Sequence, residues 1–125
     1  ITRPTHGLLG KVFMAYMPIE KAKGLMEQYP PSKWEGDTMY TWDDVCKSFE
    51  SIRKKKYTFS ESNVVDGVSG VATPIFGNRN KCIAVVSILV PSFSFNLNEK
   101  ERCLQLCKQF SERVSKDMGC LHQIY

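Results

Sequence analysis

Few residues in this chain can carry chemistry, and their spacing excludes most of what they could do. A single hydroxyl, Ser87, interrupts the most apolar run of the sequence, CIAVVSILV at 82–90. It stands mid-run, not on the G-x-S-x-G elbow that exposes a nucleophilic serine. A buried serine there is either a small residue bonded locally or the polar point of a ligand pocket. The five cysteines, Cys46, Cys82, Cys103, Cys107 and Cys120, form no C-x-x-C pair and leave an odd count, which argues against a disulfide framework or a structural zinc site. Cys103 and Cys107 are one helical turn apart and could share a metal. Both fall on an apolar helical stripe, however, where small core residues are the simpler reading. The two histidines, His6 and His122, lie near the chain ends and in no nucleophile or metal motif. Neither catalysis, a metal nor a cofactor is expected.

The elements that would hold Ser87 follow from the apolar periodicity. Leu9, Val12, Phe13, Tyr16 and Met17 recur at helical spacing, so 8–17 reads as an amphipathic helix. Pro18 starts a second segment to about Gln28, which Pro30 and Pro31 end, and a polar loop runs to about Tyr40. Thr41 with Asp44 resembles a capping box before Val45, Phe49 and Ile52, predicting a helix over 42–55. Tyr57 to Phe59 and Val68 to Phe76 are strand-like. The turn signal GNRN at 77–80 joins 68–76 to 82–90 as an antiparallel hairpin. The continuous apolarity of 82–90 predicts a central strand covered on both faces. Asn98 with Glu101 is a second helix-start signal. Cys103, Cys107, Phe110, Val114 and Met118 make one stripe before Gly119 stops that helix. The fold class is α+β, with helices packed on an antiparallel sheet.

Composition narrows the function classes. At 125 residues, 42% hydrophobic and 24% charged, the chain is a single globular domain. The run 82–90 is far shorter than the ~18 residues of a membrane span, and the N-terminus lacks a signal-peptide core, so no membrane and a cytoplasmic location are expected. The net charge of +4 is modest. Its densest cluster, Arg53 to Lys56, falls at a helix end, where cations complement the helix dipole. No motif for reading DNA appears.

The hairpin places Ser87 in context. A turn centred on Asn78 and Arg79 sets Gly70 opposite Ser87 and Val68 opposite Leu89, all on one face. A Gly opposite a Ser leaves a hollow, flanked by Val68 and Leu89, with one hydroxyl in it. The free N–H groups of the opening helix's first turn, near Gly7, Leu8 and Leu9, attract carboxylates. A small organic acid suits that chemistry.

In order along the chain, HGLLGKVFMAYMP, YTFSESNVVDGVSGVATPIF, CIAVVSILVPS and SERVSKDMG resemble the effector-binding domain of IclR-type bacterial transcription regulators. The family opens a helix with Gly-Lys, here Gly10 and Lys11. Its signature is matched at Ser60, Val71, Ala72, Ile75 and Phe76. Asn63, Gly70 and Gly77 depart from it, so the chain reads as a divergent member. Thr5 stands where the family often has a His, and no role passes to His6. The resemblance implies a GAF-like α+β fold with a small effector between the sheet and the segment before the Gly-Lys helix. The positions implied are Leu8, Leu9, Ser60, Val68, Gly70, Ser87 and Leu89. With Gly70, Leu89 and Ser60 in place of the family's Cys, Ser and Asp, the pocket should be more apolar and roomier, suiting an aromatic or branched carboxylic acid.

Such regulators also carry an N-terminal winged helix-turn-helix, a linker helix and the first strands of the effector domain. Residues 1–125 then correspond to the effector-binding domain without its first strands, and contact with DNA would pass through a separate domain. The sheet edge left open should be covered by upstream residues or a neighbouring chain. Self-association as a dimer or tetramer is implied, and the alternative is an oligomerisation module that has lost its effector.

Overall fold

The computed structural model describes residues 8–30, 40–61, 67–78 and 81–119. Thr5, His6, Gly7, Asn63, Arg79, Cys120, His122 and the loop after Pro30 lie outside the described residues. Helices α1 (Leu8–Ala15), α2 (Ile19–Gln28) and α3 (Trp42–Lys55) come first. Strands β1 (Thr58–Glu61), β2 (Val68–Phe76) and β3 (Cys82–Pro91) follow, and α4 (Leu97–Asp117) closes the chain. The strands form an antiparallel sheet in the order β1-β2-β3. Helices cover both faces. Leu8, Val12 and Ala15 of α1, Ala22 and Met26 of α2, and Val45, Phe49 and Ile52 of α3 form one core cluster with Ala72 of the sheet. Val71, Phe95, Cys103, Leu104 and Cys107 form a second cluster under α4.

Local signals specify α3 as expected. Thr41 accepts from the Asp44 N–H at 3.2 Å while the Asp44 carboxylate accepts from the Thr41 N–H at 2.9 Å, a reciprocal capping box. These bonds hold the exposed Asp44 carboxyl below its ordinary pKa. At the other end Lys56 takes the left-handed conformation, and its N–H bonds the Ile52 carbonyl. Arg53 does more than face solvent: its guanidinium donates to the Ala15 carbonyl at 2.8 Å and so ties the end of α1 to α3.

Several expectations need correcting. Helix α1 ends at Ala15, and its buried face runs through Leu8, Lys11, Val12, Met14 and Ala15, while Leu9 and Phe13 are exposed. Wedged between α3 and the sheet, α1 buries a side that periodicity alone ranked no higher than its neighbours. The central strand is β2, not β3, which forms an edge among the described residues. Unbroken apolarity shows that a strand has little polar surface, and it does not say which strands flank it.

The hairpin pairs Gly70 with Leu89 and Ala72 with Ser87, two residues away from the expected register. A bulge between Ile75 and Phe76, and a loop closed by the Gly77 N–H on the Lys81 carbonyl at 2.9 Å, lengthen the turn. Finally, α4 starts two residues early, with Asn96 accepting from the Glu99 N–H at 2.9 Å in place of the Asn98 start. Its buried stripe is Cys103, Leu104, Cys107, Ser111 and Ser115, while Phe110 is 52% exposed and Met118 also faces out. The smaller side chains let α4 approach β2 closely and hydrogen-bond to it.

Candidate functional site

The two faces of the sheet treat their hydroxyls differently. On the α4 face every β2 hydroxyl is engaged. Ser69 bonds Ser92 at 2.7 Å, and Thr73 bonds the Ser111 hydroxyl and reaches the Cys107 carbonyl at 3.4 Å. Ser115 of α4 adds an acceptor for the Phe76 N–H at 2.9 Å. This face is structural: each buried polar group has its partner.

The α1 face is the opposite case. Ala72 and Val85 pack into the α1–α3 cluster, whereas Val71, Phe59, Ile88 and Val90 pack under α4, so alternation puts Ser60, Val68, Gly70, Ser87 and Leu89 on the α1 side. The two-residue slip of register leaves that assignment intact, because a shift of two restores the same face. One row across the sheet reads Ser60, Gly70, Leu89, and the next reads Thr58, Ala72, Ser87. The floor between the outer strands is therefore Gly and Ala, with Ser60 on one side and Ser87 diagonally across. Ser60 is only 8% exposed and Ser87 is half-buried. Among the described residues neither hydroxyl has a hydrogen-bond partner. Of the helical positions, Leu8 is buried in the cluster that contains Ala72, while Leu9 is 45% exposed. The structure thus gathers the five strand positions on one face, sets Leu8 in the layer above it and turns Leu9 outward.

Gly70 has a definite steric reason. A Cβ there would collide with the Ile88 carbonyl oxygen and lie 2.7 Å from Leu89 Cδ2. The hollow expected at Gly70 is consequently occupied by the Leu89 isobutyl group. At this point the face is apolar but not roomy.

Two features were not foreseen. Lys11 is buried on α1, and its position in the Gly-Lys pair was the one available signal. A cavity of about 170 Å³ lies between α2 and α3, lined by Lys23, Met26, Glu27, Tyr40, Trp42 and Val45; burial pushes the Tyr40 phenol up. It depends on how two helices dock, which no local pattern announces.

Three of the thiols, Cys82, Cys103 and Cys107, are poorly placed to act as nucleophiles. Burial is the main cause pushing Cys82, Cys103 and Cys107 above the ordinary thiol range, and Cys82 Sγ is spent on the Ala84 carbonyl at 3.4 Å. Among the described residues no three His, Cys, Asp or Glu side chains converge to hold a metal ion.

Comparison with known proteins agrees with this architecture. Residues 6–116 match the family described as bacterial transcriptional regulator IclR, C-terminal. The transcriptional regulator KdgR of Dickeya chrysanthemi is 22% identical over 117 residues, which are 93% of this chain and 38% of that protein. Among solved structures, Pseudomonas aeruginosa HmgR superposes with a TM-score of 0.82 at 19% identity, over 98% of this chain and 48% of that one. The inducer-binding domain of PobR from Acinetobacter, a double mutant in complex with 3-hydroxybenzoic acid, gives a TM-score of 0.78 at 16% identity, over 90% of this chain and 65% of that one. The chain thus spans about two fifths of the length of the curated KdgR and about half of HmgR.

Proposed function

The chain belongs to the IclR family of bacterial transcriptional regulators, as the C-terminal effector-binding domain and not as an enzyme, and from that premise we propose that its α1 face binds a small carboxylic acid. The observation that carries this is the pair of hydroxyls, Ser60 and Ser87, across the Gly70–Ala72 floor, neither of which has a hydrogen-bond partner among the described residues. Hydroxyls with hydrogen-bonding capacity to spare on an otherwise apolar face are the groups to which a ligand oxygen can bond. The N–H groups of Leu8 and Leu9 lie in the first described turn of α1, and N–H groups at a helix start suit a carboxylate. Val68, Leu89 and Leu8 then line an apolar body, which favours an aromatic or branched acid over a small oxo acid. The 3-hydroxybenzoic acid bound by the PobR domain is of that class.

Binding would act on transcription by favouring one arrangement of a dimeric or tetrameric regulator, and so of a winged helix-turn-helix domain outside these 125 residues. Among the described residues no helix is long and apolar enough to cross a membrane; a cytoplasmic location accords with action on DNA. A second reading, an oligomerisation module without an effector, draws on the Leu89 side chain lying where the hollow was expected.

Thermal shift with 3-hydroxybenzoate, benzoate, isovalerate and pyruvate separates the two, since a ligand that binds only the folded state raises the Tm with concentration. A saturating rise with an aromatic or branched acid, reduced in Ser87→Ala, is expected. No shift with any of them, and Ser87→Ala as stable as the parent, would leave the oligomerisation module.

A further inference from the structure

The Gly70–Leu89 contact points beyond the binding of an acid to the size of acid accepted. Gly70 can carry no side chain, because the Ile88 backbone carbonyl occupies the space, so the central strand presents a bare Cα at this row. Leu89, its cross-strand partner, fills the vacancy with Cδ2 2.7 Å from where a Cβ would stand. Yet Leu89 is 61% exposed, so its isobutyl group is packed on one side only and has room to turn. The hydroxyls of Ser60 and Ser87, without a partner among the described residues, bracket the same floor, Ser60 in the row of Leu89 and Ser87 one row on. An acid whose carboxylate bonds the Ser87 hydroxyl lies over the Gly70–Ala72 floor, and its body then meets Leu89, two residues along the same face of β3.

We propose that Leu89, seated on Gly70, is the size gauge of this face: it admits a branched aliphatic acid and restricts a ring. The inference rests on the reading that acids bind here. The space in dispute is that of a few methylene groups, and one methylene of misfit in an apolar site changes affinity by roughly 10–200-fold.

The test is calorimetric titration of isovalerate and 3-hydroxybenzoate into the parent protein, Leu89→Ala, Leu89→Met and Ser87→Ala. In Leu89→Ala the Kd ratio should move at least about tenfold in favour of 3-hydroxybenzoate. Leu89→Met, nearly equal in volume, should hold the parent ratio and so control for damage to the fold. An unchanged ratio in Leu89→Ala, with binding still weakened by Ser87→Ala, overturns the gauge and leaves the acid site standing. Both acids silent on the parent and on both Leu89 variants overturn the acid site and the gauge together.

Discussion

Thr73 and Ser111 offer a measurable account of why α4 buries serines instead of large apolar side chains. Both residues are fully buried, and their hydroxyls bond each other across the interface between β2 and α4. Thr73→Val leaves the Ser111 hydroxyl stranded, at a cost of about 1–3 kcal/mol. Ser111→Ala should fall at the low end of that range, because Thr73 keeps a long bond of 3.4 Å to the Cys107 carbonyl. In the double variant neither hydroxyl remains and two apolar groups of similar shape meet, a replacement that can be nearly neutral. The double variant should therefore cost less than the sum of the singles, with a coupling of about 1–2 kcal/mol. Urea denaturation measures all four proteins, and the midpoints should shift at a common m-value. Additivity within about 0.5 kcal/mol would mean that the two hydroxyls do not depend on each other, and the close docking of α4 on β2 would have to be abandoned.

Two further outcomes follow from the structure. Gly70→Ala should destabilise the protein by about 1–3 kcal/mol, because a rigid carbonyl and not a flexible side chain stands in the way. A loss below about 0.5 kcal/mol in urea would show that the β2–β3 spacing is looser than described. Asp44 has a depressed pKa in the folded state, so its contribution is present above the unfolded-state pKa and lost as pH falls through the lower folded value. Asp44→Asn should accordingly be less stable than the parent at neutral pH and converge with it in acid. A stability difference that does not change with pH would contradict the carboxylate's part in the capping box.

The two readings of the α1 face differ in what they ask of Leu89. For a sensor, the side chain must yield to or pack against a ligand; for a pure oligomerisation module it is a permanent plug. Its one-sided packing suits the first, and its seat on Gly70 is the basis of the second. Ser87 lies beside Ala72 and Val85 of the core beneath α1–α3, and its own hydroxyl has no partner among the described residues.

The amino-acid sequence alone determined whatever is written within a few residues. The Thr41–Asp44 box and the extent of α3 could be read because the bonds that cap a helix join residues three apart. The face shared by Val68, Gly70, Ser87 and Leu89 could be read because side chains alternate along a strand, and an error of two residues in register preserves that alternation. The motif order marked the family for the same reason, since it needs no knowledge of contacts. Tertiary structure decided what depends on partners distant in the chain. A bulge beside Phe76 moved Gly70 from Ser87 to Leu89, β2 took the centre that the apolar β3 seemed to claim, and the hydrogen-bonding needs of β2 turned Ser111 and Ser115 inward in place of Phe110 and Met118. Each outcome is set by competition between surfaces brought together only on folding, and no local window of sequence contains both competitors.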